Sequence, residues 1–391
     1  MLIESGSRID NVQLELNIIE IYFWMRNSLI KFLDGEKKIF YQKEIYKKFE
    51  VNKNYFKNLK QHISKIFSKF NFFHPTLFIN KPWVLYWLIN SLDLIYSHFK
   101  KSNLLKNINL NYLFLSGSTI SYMFKNSICS LFKLYSYSLY LSLIAHKNLK
   151  IIDEKSVKFI YYFLRSLLRI SILPRSSKVS DCDGRNLFCI LTISSLFGIL
   201  TPNLENICIK KLRHVSTMVE GFSVKTFGNA HGALTYCWLG SFIFLNNKKR
   251  NINHLLRIKN LLTSRQNHLM FGFSGRMGKV PDSCYNFWVG ASLILLNLKL
   301  SRTLENSLIF YYDTKLNSFS DRCGKPTDSY HICYSLCGLA MLKFLILSKK
   351  NIEMVDLRSL KKFYSSNNLS KLNPLYGTRE YRAVQFLELF N

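Results

Sequence analysis

The sequence predicts an all-α protein in which repeated helix pairs close into an α/α toroid. Three observations carry this. Proline is sparse, 7 residues in 391, so little breaks a helix once begun. Apolar residues recur at i, i+3 and i+4 in stretches such as "YWLINSLDLIYSHF" from Tyr86 and "FWVGASLILLNLKL" from Phe287, the helical period. One pattern also returns three times: "GFSVKTFGNAHGALTYCWLGSF" from Gly221, "GFSGRMGKVPDSCYNFWVGASL" from Gly272 and "SFSDRCGKPTDSYHICYSLCGLA" from Ser318. Each copy runs from a loop through a small or acidic residue into an aromatic-rich helix. Gly221 to Gly272 is 51 residues and Asp282 to Asp328 is 46, with a weaker copy at "DGRNLFCILTISSL" from Asp183. A period of about 45–50 residues marks a repeat architecture and holds two helices. About six such pairs would close a six-hairpin barrel with its inner helices buried on all sides.

Taken in order, residues 1–60 read as an N-terminal helical extension and 80–391 as the barrel, together one domain. Residues 127–146 are long enough to cross a bilayer, but they carry Lys133 and many Ser and Tyr, so a buried helix is expected. Residues 187–200 are too short to span, and no transmembrane segment is expected. The start, "MLIES", lacks a basic region followed by an apolar one, so it is no secretory signal. The nine Cys form no CxxC pair and no disulfide framework. A reduced, cytoplasmic protein follows from these features. Asp282 and Asp328 are placed to cap inner helices, accepting from free backbone N–H groups. All inner helix N-termini would then face one end of the barrel, which is positive and ready for a phosphate.

The chain is 48% hydrophobic and 15% aromatic, with 31 Phe, ample for a core and not a disordered composition. Its formal net charge is +30. Such a charge can serve nucleic acid or an anionic membrane surface. Here no basic block stands alone and none carries a nucleic-acid motif, so the charge is read as spread over solvated faces, with no nucleic-acid partner.

Two sets of residues carry chemistry. Asp282 and Cys284 sit two apart at the start of one inner helix, and His331 stands at the same level one repeat on. An O, S and N donor set suits zinc, and three protein ligands leave a fourth position open, as in catalytic sites. Spacing alone leaves another reading open, in which Cys284 is a small buried hydrophobe and His331 a satisfied core histidine. His231, Arg276, Lys279 and Tyr285 lie on the same rims. Two fixed cations, an imidazole and a phenol can hold a diphosphate and meet its charge as it leaves. Each of these alone reads equally as a solvated loop residue.

Together these segments resemble the β subunits of protein prenyltransferases, with the farnesyl-transferring branch nearest. "PDSCYNFW" is similar to the family's zinc helix, "TDSYHICYSLCGLA" to its second ligand segment and "NAHGALTYC" to its diphosphate helix. "TSRQ" leading into "FGFSGR" and the C-terminal "NPLYG" also match, and the likeness runs from about Pro82 onward with a weak patch between about Leu104 and Lys178. The resemblance implies a zinc site of Asp282, Cys284 and His331, with Asp328 supporting it from behind. It implies that His231, Arg276, Lys279 and Tyr285 hold an isoprenoid diphosphate and that Asp321 binds magnesium beside it. Trp83, Trp87, Trp288 and Tyr330 would line a lipid and peptide pocket, with Phe188 and Cys237 in its wall and Arg185 at its peptide end. Trp83 matches the bulky residue that limits the pocket to farnesyl, although Trp83 and Trp87 at i, i+4 also read as core packing. Family membership further implies a heterodimer with an α subunit, farnesyl diphosphate as donor and CaaX-terminated proteins as acceptors. The α subunit supplies a Lys near the diphosphate that nothing in this chain replaces, so the isolated chain is expected to be poorly soluble and inactive.

The chain also departs from the family. "FLSGSTISYMF" and "NSFSDR" lack the usual Gly-Gly pairs, Phe188 stands where Tyr is usual, and Ala233 and Leu234 follow His231 in place of Gly and Tyr. "VGASLILL" after Trp288 is closer to type I geranylgeranyltransferases, the alternative reading, against which Trp83 and Asp321 argue. A non-catalytic basic helical-repeat scaffold is a third reading, and it predicts loss of the metal ligands. Terpene cyclases share a similar toroid, but the chain holds no DxDD acid motif.

Overall fold

Burial divides the helices into two kinds. In the computed structural model the described residues are 55–69, 81–95, 154–170, 184–215, 230–245, 252–267, 272–298, 311–313, 316–322, 325–348 and 369–390. All lie in the unit Asn54–Asn391. The expected buried helix at 127–146, the loop at 114–124 and residues 1–54 of the expected N-terminal extension fall outside them.

The first kind is amphipathic. Helix α1 (Tyr55–Lys69) buries Leu59 and Ile63. Helix α3 (Glu154–Ile170) buries Ile160, Leu164 and Leu168, and α5 (Pro202–Val215) buries Leu204, Cys208 and Leu212. Helix α7 (Ile252–Ser264) buries Ile258, Leu261 and Leu262. One apolar stripe at i, i+4 spacing faces inward and the charged residues face water. Helix α5 shows its sequence logic at its start: Pro202 opens it, and Thr201 Oγ1 accepts from the Leu204 N–H at 3.3 Å, with Pro in the first turn needing no N–H.

The second kind is buried almost all round. These are α2 (Lys81–Ile95), α4 (Gly184–Leu196), α6 (Gly232–Phe244), α8 (Tyr285–Leu295) and α9 (Ser329–Ser348). They pack in the order α4, α6, α8, α9, α2, so the earliest of them in the chain lies against the latest. That contact closes the toroid on the side of α2. Helices α4 and α6 approach closely because residue 240 is Gly: a Cβ there would lie 2.4 Å from the Phe188 ring. One buried hydroxyl on each of four of these helices is satisfied at home. Ser91, Thr192, Ser241 and Ser292 donate to the carbonyls of Trp87, Phe188, Cys237 and Trp288 at 2.6, 2.8, 2.8 and 2.8 Å, each four residues back. Helices α4 and α8 are followed by the same stop. Gly198 and Asn297 take positive φ (62° and 56°), and the next N–H returns to Ser194 O at 2.9 Å and to Leu293 O at 2.8 Å, a Schellman closure.

Three antiparallel hairpins join the layers: β1 (Gln266–Asn267) with β2 (Gly272–Phe273), β3 (Tyr312–Asp313) with β4 (Ser318–Phe319), and β5 (Leu372–Asn373) with β6 (Thr378–Arg379). The first two begin 46 residues apart, at Gln266 and Tyr312, so the repeat read in the sequence is a structural one. No helix among the described residues is long and apolar enough to cross a membrane, and no disulfide joins the described cysteines.

The third hairpin reaches the inner ring. Asn373 Oδ1 accepts from the N–H groups of Leu375 and Tyr376, at 2.9 and 3.1 Å, and Gly377 takes φ 66° to complete the turn. Tyr86 and Asn90 of α2 donate to Gly377 O at 3.2 and 3.0 Å, and Tyr236 of α6 donates to Pro374 O and Leu375 O, both at 2.9 Å. Ser195 of α4 meets Tyr376 Oη at 2.9 Å. Beyond the turn, helix α10 (Glu380–Phe390) carries Arg382, whose Nη2 lies 3.3 Å from Asp93 Oδ1, both side chains 3% exposed. Asp93→Asn leaves that guanidinium buried without its counter-charge. We expect a loss of about 3–5 kcal/mol, read as a shift in the urea unfolding midpoint, since Arg379, 3.7 Å from the same oxygen, loses its partner as well; a change below about 1 kcal/mol would show that the fold does not depend on this ion pair.

Candidate active site

The site is built where inner helices begin. The Asp282 N–H donates to Phe273 O at 3.2 Å, the Ser283 N–H to Asp321 O at 3.1 Å, and Ser283 Oγ to Ser320 O at 2.7 Å. These bonds stitch the approach to α8 onto β2 and onto the segment that follows β4. Asp328 is the N-cap expected of it: its Oδ1 accepts from the His331 N–H at 2.9 Å. Asp282 differs from expectation. Helix α8 begins at Tyr285 with Cys284 as N-cap and no side-chain cap bond, while Asp282 Oδ1 accepts from the Cys284 N–H at 2.8 Å. The reason is a tight lead-in turn, with Tyr285 N bonded to Asp282 O and Asn286 N to Ser283 O, at 3.1 and 3.2 Å. Asp282 thus caps a 3₁₀ turn ahead of the α-helix.

That turn brings the metal-type donors together. One ligand atom each of Asp282, Cys284 and His331 lies within 4.8 Å of the others. His331 Nε2 is 3.3 Å from Asp282 Oδ1, while Nδ1 is 2.6 Å from Asp328 Oδ2. Asp328 therefore orients the ring from behind and leaves Nε2 facing the cluster, the carboxylate–histidine support common in zinc sites. Zinc bonds of about 2.0–2.3 Å put tetrahedral ligand atoms about 3.3–3.8 Å apart, within a side-chain adjustment of this arrangement, so the three residues fit that ion. The protonation states agree. Burial first, then the neighbouring Asp282 carboxylate, pushes the Cys284 thiol well above its usual range. Burial works against the charged form of His331, but hydrogen bonds to Asp282 and Asp328 outweigh it and raise the ring to about 9. Burial also disfavours ionised Asp282, and the bonds from His331 and Cys284 overcome it and hold its carboxyl below the usual range. A buried thiolate beside a carboxylate is an unfavourable pair until a cation joins them.

The anion-binding set is next in the chain. Tyr285 Oη lies 3.0 Å from His231 Nε2, and the Ala233 N–H donates to His231 Nδ1 at 3.2 Å. Burial, then the charges of Arg276, Arg185 and Arg265, lowers His231 to about 4. Of the residues expected here, His231, Tyr285 and Arg276 come together, and Arg185 is near enough for its charge to act on His231. Lys279 is exposed in the turn after Arg276, its N–H 3.4 Å from Arg276 O. Arg265, 7% exposed, was not singled out from the sequence, although the "TSRQ" segment that carries it was. Tyr311 was also missed: it is buried, and burial followed by Asp282 and Cys284 raises its hydroxyl. Asp321 does not stand open for a cation. Its Oδ1 accepts from the Arg322 N–H at 2.8 Å and its Oδ2 from Arg322 Nε at 3.1 Å.

An aromatic wall runs across the five inner helices among the described residues. Trp83 stacks on Trp87 at 5.9 Å, and Trp87 meets Tyr330 edge-on at 5.1 Å. Tyr330 meets Tyr334 at 4.8 Å, and Tyr334 meets Trp288 at 4.5 Å. Trp288 continues to Tyr236 at 5.2 Å and Tyr236 to Phe188 at 5.3 Å. Trp288 Nε1 donates to Tyr330 Oη at 3.0 Å. Cys237 is buried on α6 beside Tyr236. Tyr236 and Tyr334 are further members of this wall that the sequence reading missed; Tyr334 lies at i+4 from Tyr330, a signal that Tyr236, the immediate neighbour of Cys237, lacks.

Two measurements check the metal reading. At pH 7 the metal-free protein holds His331 as imidazolium, below its value of about 9, and Cys284 as thiol. Uptake of one divalent zinc should therefore release about two protons, seen by calorimetry in buffers of different ionisation enthalpy, and affinity should rise with pH; zinc binding without proton release would contradict this. The raised His331 value also stabilises the metal-free fold below the ordinary histidine range, and that stability is lost as pH rises through about 9. Asp328→Asn should weaken zinc binding about 10–100-fold while leaving stoichiometry at one.

Residues 54–378 match the family described as prenyltransferase alpha-alpha toroid domain. The chain is 30% identical over 200 residues to the protein farnesyltransferase subunit beta of Schizosaccharomyces pombe, covering 47% of this chain and 52% of that protein. It is 27% identical over 308 residues to the same-named subunit of Pyricularia oryzae, covering 67% of this chain and 58% of that one. The chain thus spans little more than half the length of these relatives. Among solved structures it is similar to Candida albicans protein geranylgeranyltransferase-I complexed with GGPP, at 17% identity and a TM-score of 0.57, covering 86% of this chain and 99% of that one; this likeness concerns the fold. With a family match over most of its length and the toroid in place, the chain belongs to the prenyltransferase alpha-alpha toroid family.

Proposed function

We propose that this chain is the β-type subunit of a protein farnesyltransferase. It would transfer a farnesyl group from farnesyl diphosphate to the Cys thiol of CaaX-terminated proteins, paired with an α-type subunit. One observation carries the reading: His331 from α9 and His231 from α6 both meet the start of α8, where Cys284, one of the three metal-type donors, and Tyr285, the partner of His231, are adjacent in the chain. A soft-metal site for a thiol and a cationic site for a diphosphate are the two halves of this reaction.

A free protein thiol has a pKa near about 8.5 and is only a few per cent thiolate at neutral pH. Zinc, held by Asp282, Cys284 and His331, would supply the charge that keeps a substrate thiol ionised. The chain's own residues account for the rest. The thiol sulfur forms a bond to C1 of the lipid as the C1–oxygen bond to diphosphate breaks, and negative charge grows on the departing oxygens. Arg276, with Arg185 and Arg265 behind His231, meets that charge, and Tyr285 supplies a hydrogen bond. The aromatic wall packs the lipid and keeps water from the reacting carbon. Magnesium at Asp321 fits less well, because Arg322 already holds both carboxylate oxygens. The diphosphate there has a guanidinium as neighbour, and no step is routed through that ion.

The type I geranylgeranyl reading draws on "VGASLILL" after Trp288. A competition assay separates the two. The chain is co-expressed with an α-type subunit, supplied with zinc, and offered farnesyl and geranylgeranyl diphosphate together with a CaaX peptide. Farnesyl thioether in excess is expected, and Trp83→Ala should raise the geranylgeranyl share by about tenfold or more. Geranylgeranyl in excess with native Trp83 would favour the second reading. No transfer, with no bound zinc, would return the protein to the scaffold class.

A further inference from the structure

The proposed reaction brings two sulfurs to one ion: that of Cys284, one of the three metal-type donors, and that of the acceptor protein. Both would be thiolates, and the thiolate is the nucleophile. The wrong outcome is easily written. A Cys284 Sγ–C1 bond would form as the C1–oxygen bond broke, and the diphosphate would leave with the electron pair. The metal site would then hold a neutral thioether in place of a thiolate. The side chains around Cys284 set its sulfur apart from the acceptor's.

Cys284 and Trp288 stand one turn apart on α8, where the Trp288 N–H donates to Cys284 O at 3.3 Å. Tyr330 of α9 reaches both. Trp288 Nε1 donates to Tyr330 Oη at 3.0 Å, and a side-chain hydrogen bond joins Tyr330 to Cys284. An indole N–H can only donate. The phenol oxygen therefore accepts from Trp288, and its own proton is left for the sulfur, which as a thiolate can only accept. The order runs Trp288 Nε1–H to Tyr330 Oη–H to Cys284 Sγ. Other rings hold the phenol in place: Trp87 meets it edge-on at 5.1 Å, His331 at 4.9 Å and Tyr334 at 4.8 Å. Cys284 is 3% exposed, so water competes little for its sulfur.

A hydrogen bond to a thiolate is charge-assisted and stabilises the charge on sulfur. It lowers the sulfur's basicity, and nucleophilicity falls with basicity. Resting on the zinc and farnesyl-transfer reading of the site, we propose that Tyr330, aimed by Trp288, is a positioning residue that disarms the protein's own thiolate: its hydroxyl donates to Cys284 Sγ, so that the acceptor's sulfur is the one that takes the lipid.

The test uses the complex with an α-type subunit, loaded with cobalt(II) for spectroscopy and with zinc for chemistry. Tyr330→Phe keeps the ring and removes the donor. Loss of the hydrogen bond raises the energy of the sulfur lone pairs, so the thiolate-to-cobalt charge-transfer band should move to lower energy with one cobalt still bound per chain. A band at the native position would overturn the inference, and a merely structural role for Tyr330 would not move it. In the zinc-loaded variant, iodoacetamide should alkylate Cys284 about three- to tenfold faster than in the native complex; an unchanged rate would overturn the inference. Given farnesyl diphosphate and no acceptor, the variant should gain farnesyl on Cys284, found by peptide mapping, where the native complex gains none. A variant that stays unmodified would overturn the protective role. Trp288→Phe should move the cobalt band in the same direction by less, and the double variant no further than Tyr330→Phe; a further move would overturn the part given to Trp288. Absence of thioether from the native complex with farnesyl diphosphate and a CaaX peptide would count instead against the functional reading, and the cobalt band would still decide the hydrogen bond.

Discussion

The inner ring depends on the backbone carbonyls of one short turn. Pro374, Leu375 and Gly377 present theirs to the buried side of the barrel, and Tyr236, Tyr86 and Asn90 donate to them. A buried carbonyl left without a donor costs about 1–3 kcal/mol, so the turn and the three side chains hold one another in place. The contacts join residues 138 to 291 positions apart in the chain. Local helix propensity could form every hairpin without them. Closure of α2 onto α9, which completes the ring on that side, comes with the C-terminal segment that carries the turn.

The starts of the inner helices gather the chemistry. Each described inner helix after α4 starts near a polar residue that either caps it or faces the cleft: His231 for α6, Asp282 and Cys284 for α8, Asp328 for α9. Backbone N–H groups and cationic side chains therefore accumulate where a diphosphate would sit. The same geometry sets the zinc-type donors between the charged residues and the aromatic wall, which is where, in the proposed reaction, a lipid carbon and a thiol sulfur would meet.

Much of this was legible in the sequence, and the limits have physical causes. The repeat was readable because each unit needs the same loop-to-helix chemistry, and the two hairpins that begin 46 residues apart confirm it. Asp282, Cys284 and His331 stood out because a carboxylate and a thiol at one helix start are matched by an imidazole at the same level of the next repeat, a donor set that suits one metal. The exact cap was not legible: an Asp before a helix signals an N-terminus, but whether a 3₁₀ turn intervenes depends on bonds such as that from Ser283 to Ser320, made across repeats. Tyr236 and Tyr334 were hidden because an aromatic on a helix buried all round carries no amphipathic signal to say which side is lumen. The place of Arg265 beside His231 is a tertiary fact, whereas Arg322 holds Asp321 as its immediate chain neighbour. Trp83 and Trp87 read equally as packing at i, i+4, and only the ring contact with Tyr330 of another helix distinguishes a shared wall from a local pair.

One repeated detail has a wider consequence. In four inner helices a Ser or Thr hydroxyl bonds to the carbonyl four residues back, on Trp87, Phe188, Cys237 or Trp288. The polar group that burial would otherwise penalise is answered within its own helix, with no demand on a neighbour. Each of these four staves carries its own bracing. The brace uses only the carbonyl of Trp87, Phe188, Cys237 or Trp288, so residues of very different size stand at the matching places. The wall of the ring can thus differ from stave to stave while the bracing stays the same.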